Sequence, residues 1–251
     1  MHSCYLKKLK NKFYSLVPRK LAKEPILSLG NFTSALINEI VRDKKHFLNY
    51  LEIGSQFGYT LEAVRIPNKI GIDPNPMHSL KVMPLGVKSL VFTSDQYFAT
   101  ISDSVVFNFV YIDGLHIFQQ VYRDFINSIN HLSEDGIILI DDVIPVDSYS
   151  AGTNQIRAVT ERNIQGNSSK AWQGDVYKLL SLIANEMLFL ELKVIIYPSN
   201  AQAIIKFKGP KQHLEFNREL FARYDKLTFE KVFSNFQDSS QRFHFEFGWN
   251  I

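Results

Sequence analysis

Two acidic motifs follow apolar runs in the sequence and could perform acid–base or metal chemistry. One run is followed by Asp113 and, three residues later, by His116, while another is followed by Asp141 and Asp142. If both runs are parallel strands of one sheet, their carboxyl ends share an edge, so three carboxylates and an imidazole converge there. Such carboxylates repel one another unless a cation or a proton intervenes. We therefore predict a divalent cation, Mg²⁺ from its preference for oxygen ligands, at Asp113, Asp141 and Asp142.

His116 and Asp113 are the predicted catalytic residues of this edge. An imidazole has an ordinary pKa of about 6.5, so His116 could accept the proton of a hydroxyl group that the metal has acidified. Other roles stay open at this point. Asp113 could bind only a cofactor, Asp141 could end its strand, and His116 could begin the next helix.

A glycine-containing turn follows the first apolar run and predicts a cofactor site. Glu52 precedes Gly54 and Gly58, and the two glycines allow the backbone to approach a ligand closely at the carboxyl end of a strand. The spacing is not that of the dinucleotide-binding turn, because Gln56 stands where that turn needs its second glycine. The acidic Glu52 also favours a ligand with positive charge, such as S-adenosylmethionine with its amino and sulfonium groups. The alternative is a turn with a purely structural role.

Two further segments could contact the rest of this cofactor. Asp73 ends the second apolar run, about twenty residues after the glycine turn, where a carboxylate can accept hydrogen bonds from ribose hydroxyls. Ser94 and Asp95 follow the third run and offer short polar groups to an adenine edge. The alternatives are a turn before Pro74 that Asp73 caps and a helix N-cap formed by Ser94 or Asp95.

A later helix start supplies predicted walls for the pocket of the acceptor. Trp172, Asp175 and Lys178 place an aromatic ring, an acid and a base near the same sheet edge. The alternative is an ordinary helix start, with Asp175 in the first turn, where negative charge is favourable.

The elements that must position these groups are short apolar runs that alternate with helical stretches. This alternation predicts an α/β fold, a Rossmann-like doubly wound seven-stranded sheet that is mostly parallel. The last two strands are separated only by residues 198–200, which is too short for a parallel crossover, so they should pair as an antiparallel C-terminal hairpin. The predicted strands are residues 50–53, 69–72, 89–92, 107–112, 136–140, 192–197 and 201–207.

Helical spacing completes the predicted organisation of the chain. The predicted helices are residues 31–41, 61–65, 117–132 and 176–185. Residues 146–173 lack periodicity, and a loop of this length inside a compact domain is usually functional or disordered. Because it follows the fifth strand, it can cover an active site. We predict an N-terminal helical extension at 1–48, a cofactor-binding domain at 49–208 and a Phe-rich appendage at 209–251 that packs on it.

Composition and charge exclude several classes of protein. The formal net charge of +3 is too small to predict a nucleic-acid partner, and much of the surplus lies near the N-terminus. Cys4 is the single cysteine and cannot form an intrachain disulfide, and the N-terminus lacks the apolar segment of a signal peptide. No apolar run approaches the roughly 20 residues that span a bilayer. These features predict a cytoplasmic location.

Residues 5–17 form a predicted basic amphipathic helix. Leu6, Leu9, Phe13 and Leu16 have helical spacing, with lysines between them. We expect this helix to dock on its own domain or to support self-association with a partner subunit, and peripheral attachment to a membrane surface is the alternative.

Together these motifs resemble class I S-adenosylmethionine-dependent methyltransferases, in particular the branch of sugar O-methyltransferases and cephalosporin hydroxylase-like proteins. The resemblance covers residues 49–207 and depends on the E-x-G-x-x-x-G, D-G-x-H and W-x-G-D-V-x-K motifs. It implies a metal site similar to that of catechol O-methyltransferase, with His116 as the base. The pair Asp141 and Asp142 departs from the family, since many relatives have His-Asp there. The predicted cofactor-binding residues are Glu52, Gly54, Ser55, Gly58, Tyr59, Asp73, Ser94, Asp95 and Asp113.

The sequence therefore predicts an S-adenosylmethionine-dependent O-methyltransferase that acts on a sugar, a glycan or another small hydroxylated acceptor with help from a divalent metal. Two alternatives stay open: a Rossmann-like binding protein without this catalysis, and a methyltransferase that needs no metal. A nicotinamide-dependent oxidoreductase is disfavoured, because the turn lacks the glycine that dinucleotides require.

Overall fold

A mixed β-sheet forms the centre of the protein. The computed structural model describes residues 29–77, 84–196, 200–233 and 244–247, so Cys4 and the predicted helix at 5–17 lie outside the described residues. In chain order, the strands are β1 (Asn49–Ile53), β2 (Asn68–Asp73), β3 (Val87–Val91), β4 (Phe107–Ile112), β5 (Leu132–Ile140), β6 (Leu190–Ile196), β7 (Ala201–Phe207) and β8 (His244–Phe247).

Helices flank the sheet and connect its parallel strands. They are α1 (Leu29–Ile40), α2 (Tyr59–Ala63), α3 (Ser94–Thr100), α4 (Phe118–Asn130), α5 (Gln155–Ile164), α6 (Tyr177–Glu186), α7 (Arg218–Asp225) and α8 (Phe229–Phe233). Within the described residues, no helix has both the length and the apolar character needed to cross a lipid bilayer.

The strand order of the sheet is β3-β2-β1-β4-β5-β7-β6-β8. Strands β1 to β5 pair in parallel, whereas β7 runs antiparallel to both β5 and β6. The predicted Rossmann-like, mostly parallel sheet with an antiparallel C-terminal hairpin is confirmed. The eighth strand, β8, was not predicted and pairs in parallel with β6. Its four residues are too few for alternation to distinguish a strand from an extended appendage.

One hydrophobic layer lies on the face of the sheet that α1 and α2 cover. Tyr50 of β1 and Phe109 of β4 pack there with Leu36 and Ile37 of α1 and Leu61 of α2, and all five side chains are fully buried. Full burial of one such side chain stabilises the fold by about 1.5–3 kcal/mol. Helix α1 is therefore part of the core that holds β1 in place.

The second layer lies on the opposite face and is covered by α4 and α6. Leu51 and Val110 pack here with Phe125 of α4 and Leu179 of α6. Each directly follows, in the sequence, a strand residue that faces α1. Because successive side chains of a strand point to opposite faces, a sheet covered on both sides needs nearly continuous apolar strands. This requirement explains the uninterrupted apolar runs of the sequence.

The C-terminal part of the chain packs on the α4 layer through aromatic side chains. The ring of Phe221 in α7 stacks on Phe118 with centroids 5.3 Å apart, and Phe216 contacts Tyr122 at 4.7 Å. These contacts agree with an appendage that packs on the domain, while the boundaries at 48/49 and 208/209 stay predictions.

The segment 146–173 contains helix α5, although the sequence predicted a loop without secondary structure. Asn154 caps this helix by accepting a hydrogen bond from the N–H of Arg157 at 3.0 Å. The buried side chains of α5 are Ala158 and Arg162. A small and a charged residue on the inner face remove the apolar periodicity by which a helix is recognised in a sequence.

Candidate active site

An open cleft of about 650 Å³ lies at the carboxyl ends of β1, β2 and β4. Ligands of open α/β sheets bind at this edge. Gln155, Lys170 and Trp172 bring the segment 146–173 into the lining. The predicted site residues that line the cleft are Gly54, Asp73, Ser94, Asp113, His116 and Trp172.

Gly54 brings the ends of β1 and β4 together. It has a φ of +89°, and a Cβ atom on it would lie 2.0 Å from the carbonyl oxygen of Asp113. Its N–H donates a hydrogen bond to the carbonyl of Ile72 at 2.8 Å. Close packing between two strand ends therefore already demands a glycine here. The second glycine of the turn, Gly58, begins α2 with a φ of 72°.

Asp73 organises the glycine turn and also faces the cleft. Its Oδ2 atom accepts a hydrogen bond from the N–H of Gln56 at 3.0 Å, and its Oδ1 atom accepts one from Asn75 at 2.7 Å. Because each carboxylate oxygen can accept a second hydrogen bond, Asp73 can hold the turn and bind a ligand hydroxyl at once. The two roles considered for Asp73 are thus compatible.

Glu52 is placed differently from its predicted role as a cofactor contact. Its side chain is buried, lies outside the cleft lining and accepts a hydrogen bond from the hydroxyl of Tyr50 at 2.8 Å. Burial raises the pKa of Glu52 to about 8, and the charge of Asp113 acts in the same direction, against the hydrogen bond from Tyr50. Glu52 is therefore a largely protonated acid beneath the turn.

Ser55 and Tyr59, also predicted as cofactor contacts, lie outside the cleft lining. Ser55 is buried against β2, where its Oγ atom would be 2.9 Å from a Cβ atom on Gly71. Tyr59 is exposed, and its ring stacks on Phe57 with centroids 5.7 Å apart. Both residues shape or flank the turn in this structure.

Ser94 shares the cleft with a carboxylate that was not predicted from the sequence, Asp124 of α4. Gln120 links the two, because its Nε2 atom donates to Ser94 Oγ at 3.0 Å and to Asp124 Oδ1 at 2.9 Å. Burial raises the pKa of Asp124 to about 6. Asp95 is outside the lining and pairs with Arg123 at 3.2 Å. The available signal for Asp124 was its spacing of four from Gln120 on an amphipathic helix.

Asp113, His116 and Asp142 form an acid–imidazole cluster at the ends of β4 and β5. His116 Nε2 lies 3.4 Å from Asp113 Oδ1, and His116 Nδ1 lies 3.1 Å from Asp142 Oδ2. One ligand atom from each residue lies within 4.8 Å of the others, so the three could hold a metal ion. The strand ends converge as the parallel sheet requires.

The electrostatics of this cluster retain protons at neutral pH. Burial lowers the pKa of His116, but the hydrogen bond with Asp113 and the charges of Asp142, Asp113 and Asp141 outweigh burial and raise the pKa. Burial and the charge of Asp141 raise the pKa of Asp142. A bound divalent cation would replace the retained protons, so metal affinity should increase with pH.

Asp141, predicted as a metal ligand, is instead surrounded by hydrogen-bond donors of the chain. Its Oδ2 atom accepts from the hydroxyl of Tyr111 at 2.6 Å, and its Oδ1 atom accepts from Gln202 Nε2 at 3.1 Å, from the N–H of Asp142 at 2.9 Å and from the amide of Asn200. These four donors occupy the hydrogen-bond acceptor positions of the Asp141 carboxylate. The imidazole takes its place in the cluster that could bind metal.

Trp172 and Gly174 bring the end of the segment 146–173 against His116. The rings of Trp172 and His116 stack with centroids 5.1 Å apart, and Trp172 Nε1 donates to the carbonyl of Gly152 at 2.6 Å. Gly174 has a φ of +63°, and a Cβ atom there would lie 1.7 Å from the carbonyl oxygen of His116. The segment therefore packs beside the acid–imidazole cluster, as expected for a cover.

Asp175 and Lys178, predicted to contact the acceptor, support the helices around the cleft in this structure. Asp175 accepts a hydrogen bond from the N–H of Phe118 at 2.6 Å and thus binds the N-terminus of α4. Lys178 lies 2.9 Å from Asp175 and donates to the carbonyl of Asp225 at 2.7 Å. Neither residue lines the cleft, because both side chains are used between α4, α6 and α7.

The fold and the cleft define a class of protein before any comparison. A mostly parallel, doubly wound sheet with a glycine turn after β1 and an acid at the end of β2 is a Rossmann-like fold that binds nucleotide-like ligands at its carboxyl edge. Residues 51–143 match the model of a methyltransferase domain. This match over residues 51–143 confirms the predicted resemblance to class I S-adenosylmethionine-dependent methyltransferases.

Solved structures show the same fold at low sequence identity. The plantazolicin methyltransferase BpumL, with S-adenosylhomocysteine and a pentazolic desmethylplantazolicin analogue, is 14% identical with a TM-score of 0.52, over 82% of this chain and 98% of that one. An O-methyltransferase from Bacillus cereus with S-adenosylhomocysteine is 13% identical with a TM-score of 0.50, over 78% and 90%. TomG from Streptomyces achromogenes, an O-methyltransferase with S-adenosylmethionine, is 13% identical with a TM-score of 0.50, over 83% and 100%. Among curated proteins, none matches the sequence.

Proposed function

We propose that this protein transfers the methyl group of S-adenosylmethionine to a hydroxyl oxygen of a small acceptor, such as a sugar or a phenol. In this reaction the sulfur–methyl bond breaks, a carbon–oxygen bond forms and the hydroxyl loses its proton, which leaves S-adenosylhomocysteine. The structure of BpumL contains a pentazolic desmethylplantazolicin analogue together with S-adenosylhomocysteine, which supports a small-molecule or peptide acceptor for this fold.

A single observation carries the proposal: the predicted cofactor acid, Asp73, lines the same cleft as Asp113 and His116 of the acid–imidazole cluster. Asp73 lies at one strand end of the cleft, and Asp113 and His116 lie at another. A volume of about 650 Å³ is ample for a bound nucleoside with a small second molecule. Methyl transfer requires such a shared site because the donor and the acceptor must be held in line.

The residues of the lining divide between the two ligands. Asp73 binds the ribose hydroxyls through the free acceptor capacity of its carboxylate. Ser94 and Gln120, which already share a hydrogen bond, present polar groups toward the adenine. Asp113 favours the positive charge of the methionine part, and Trp172 gives the acceptor an aromatic wall.

A divalent cation fits the cluster of Asp113, His116 and Asp142. The donor set of two carboxylates and one imidazole favours Mn²⁺ or another transition metal over the predicted Mg²⁺, which prefers oxygen ligands alone. Such a cation would act as a Lewis acid on the acceptor hydroxyl. The chain itself supplies ligands whose positions are fixed by the Gly54 and Gly174 contacts.

A metal-independent reaction is the second mechanism, and the position of His116 favours it. Both ring nitrogens of His116 already have carboxylate neighbours, at 3.4 and 3.1 Å. In this mechanism the neutral imidazole accepts the acceptor proton, and Asp113 and Asp142 stabilise the resulting imidazolium. Methyl transfer that persists in EDTA supports this mechanism, whereas loss in EDTA and recovery with Mn²⁺ supports the metal site.

Calorimetric titration with S-adenosylhomocysteine tests the cofactor assignment. The wild-type protein should bind with a micromolar Kd, and Asp73→Ala should weaken binding at least about tenfold through lost ribose hydrogen bonds. Asp103→Ala is the matched control, because Asp103 is an exposed aspartate outside the lining. Equal affinity of Asp73→Ala and the wild type would contradict the assignment.

Transfer of labelled methyl groups then distinguishes an enzyme from a binding protein of the same fold. The protein is incubated with S-adenosylmethionine labelled at the methyl group and with a panel of phenols and sugars. Label that appears in an acceptor supports the proposal. Tight S-adenosylhomocysteine binding with no transfer across the panel would favour the non-catalytic alternative.

A further inference from the structure

Lys170 stands out among the residues of the cleft because of its charge. The described lining residues include the carboxylates of Asp73, Asp113 and Asp124, and among them Lys170 is the only lysine or arginine. The part of the chain that the structure describes places no carboxylate within ion-pair distance of Lys170. The exposed lysine, in a cleft that otherwise holds these carboxylates and His116, is available for an anionic group that arrives with a ligand.

The backbone on both sides of Lys170 is held by a buried arginine. Arg162 of α5 is 1% exposed, and its Nη1 atom donates to the carbonyl oxygens of Ser169, at 3.2 Å, and of Ala171. Its remaining guanidinium atoms form two parallel hydrogen bonds to Asp147, both at 2.8 Å. A bidentate pair of this kind is among the stronger and more directional contacts in proteins.

The same segment also contacts the acid–imidazole cluster, which places Lys170 on the acceptor side of the cleft. Trp172, two residues after Lys170, stacks on His116 with ring centroids 5.1 Å apart. Gln155 at the start of α5 lines the cleft with them. The cofactor determinants Gly54, Asp73 and Ser94, in contrast, follow β1, β2 and β3, and Asp113 after β4 lies between the two ligands.

From this arrangement we infer that Lys170 selects acceptors that carry an anionic oxygen group, a carboxylate or a phosphate, in addition to the hydroxyl that is methylated. The inference rests on the proposed function, since it names the acceptor class of the same cleft. The positive charge of S-adenosylmethionine is balanced by Asp113, and an anionic group on the acceptor complements Lys170. The ammonium group is a flexible point charge, so it can serve carboxylates and phosphates alike.

Binding of matched pairs of small molecules tests the inference. The pairs are protocatechuate and its neutral amide, glucuronate and glucose, and glycerol phosphate and glycerol. Each is titrated into the protein with and without saturating S-adenosylhomocysteine, in EDTA so that no metal ion binds the anion. We expect at least one anionic member to bind about fivefold more tightly than its neutral twin, as for a partly exposed ion pair. The pair with the largest ratio of anion affinity to neutral-twin affinity shows whether Lys170 prefers a carboxylate or a phosphate.

Charge reversal at Lys170 identifies the residue responsible. Lys170→Glu should abolish the preference for the anion and should favour dopamine, a cationic catechol, over protocatechuate. Lys45→Glu makes the same change of net charge at an exposed lysine outside the cleft, and it should keep the wild-type preference. Both variants should bind S-adenosylhomocysteine with wild-type affinity.

The two proposals fail in different ways. If no anionic member of any pair binds more tightly than its twin, or if Lys170→Glu keeps the wild-type preference, the inference about Lys170 is overturned. If S-adenosylhomocysteine does not bind to the wild type, the proposed function fails, and the titrations without it still decide whether Lys170 selects anions.

Discussion

The Nδ1 atom of His116 lies 3.1 Å from a carboxylate oxygen of Asp142, which joins the loop after β4 to the end of β5. The charge of Asp142 helps to raise the pKa of His116 above its ordinary value, against the lowering effect of burial. The neutral imidazole that could accept a proton or bind a metal therefore becomes more abundant as the pH rises. Methyl transfer should therefore increase as the pH rises toward the pKa of His116.

Asp142→Asn should move the acidic limb of the pH–rate profile to lower pH by about one pH unit, because the imidazolium loses a stabilising charge. NMR titration of the His116 ring protons gives the same midpoint without relying on activity. Asp135→Asn is the control, since Asp135 pairs with His46 on the surface. An unchanged His116 midpoint in Asp142→Asn would mean that the pair does not determine this pKa.

Glu52→Gln should increase stability progressively as the pH rises. Burial raises the pKa of Glu52 from 4.5 to about 8, so between these values the folded protein holds a proton that the unfolded chain releases. The free energy of unfolding of the wild type therefore falls as the pH rises through this range, by at most about 1.4 kcal/mol per pH unit. The glutamine side chain does not titrate, so the variant would lack this pH dependence, and its amide oxygen could still accept the hydrogen bond from Tyr50.

Urea unfolding at pH 5, 7 and 8, for example, would measure this difference. The advantage of the variant should be small at the lowest pH and on the order of 1–3 kcal/mol at the highest. A difference that stays constant across the series would show that Glu52 does not hold a proton in the folded protein.

Gly54→Ala should destabilise the protein and impair binding of S-adenosylhomocysteine. A Cβ atom at this position would lie 2.0 Å from the carbonyl oxygen of Asp113, so the ends of β1 and β4 must separate. The backbone strain of a non-glycine residue at positive φ adds about 1–3 kcal/mol. Thermal unfolding and calorimetry measure the two effects.

Gly166→Ala separates the backbone strain at positive φ from the steric clash of the Cβ atom. Gly166 has a φ of +74°, but no atom lies within 4 Å of the position of its Cβ. This variant should show only the strain and should retain ligand binding. Equal losses in Gly54→Ala and Gly166→Ala would indicate that the contact with Asp113 is unimportant.

Arg162→Met should release the segment 146–173 while the sheet stays folded. The substitution removes the donors of Arg162 from the carboxylate of Asp147 and from the carbonyl oxygens of Ser169 and Ala171. Because Asp147 is 31% exposed and keeps the hydrogen bond from the N–H of Ser150, the cost should be below the roughly 3–5 kcal/mol of a fully buried pair. Amide hydrogen exchange should accelerate in this segment and should be unchanged in β1 and β4.

Arg157→Met provides the comparison on the same helix. Arg157 pairs with Glu161 on the exposed face of α5, where solvent screens the pair. Hydrogen exchange in this variant should match the wild type. Rapid exchange of β1 and β4 in Arg162→Met would show that the segment and the sheet unfold together.

The strand ends of the site could be recognised in the sequence, because the end of a strand is marked by the residues next to it in the chain. Apolar runs mark where strands stop, and a parallel sheet brings their carboxyl ends to one edge. For this reason Asp73, Asp113 and His116 could be assigned to one site from the sequence alone. The direction of a helix-borne side chain such as Asp124 was harder to recognise, since a polar residue inside a helix is usually exposed.

The tertiary structure decided which carboxylates are available at the site and which are already hydrogen-bonded to other parts of the chain. Asp141 and Asp142 are adjacent in the sequence. The amide of Gln202 in the antiparallel hairpin nevertheless donates a hydrogen bond to Asp141, whereas the imidazole of His116 contacts Asp142. Asp175 likewise binds the N-terminus of α4 across a gap of 57 residues. Neighbouring residues leave a strand in opposite directions, and their partners arrive from distant parts of the chain. The types and spacing of residues therefore determined the edge of the sheet, while packing determined which side chain at that edge is free to react.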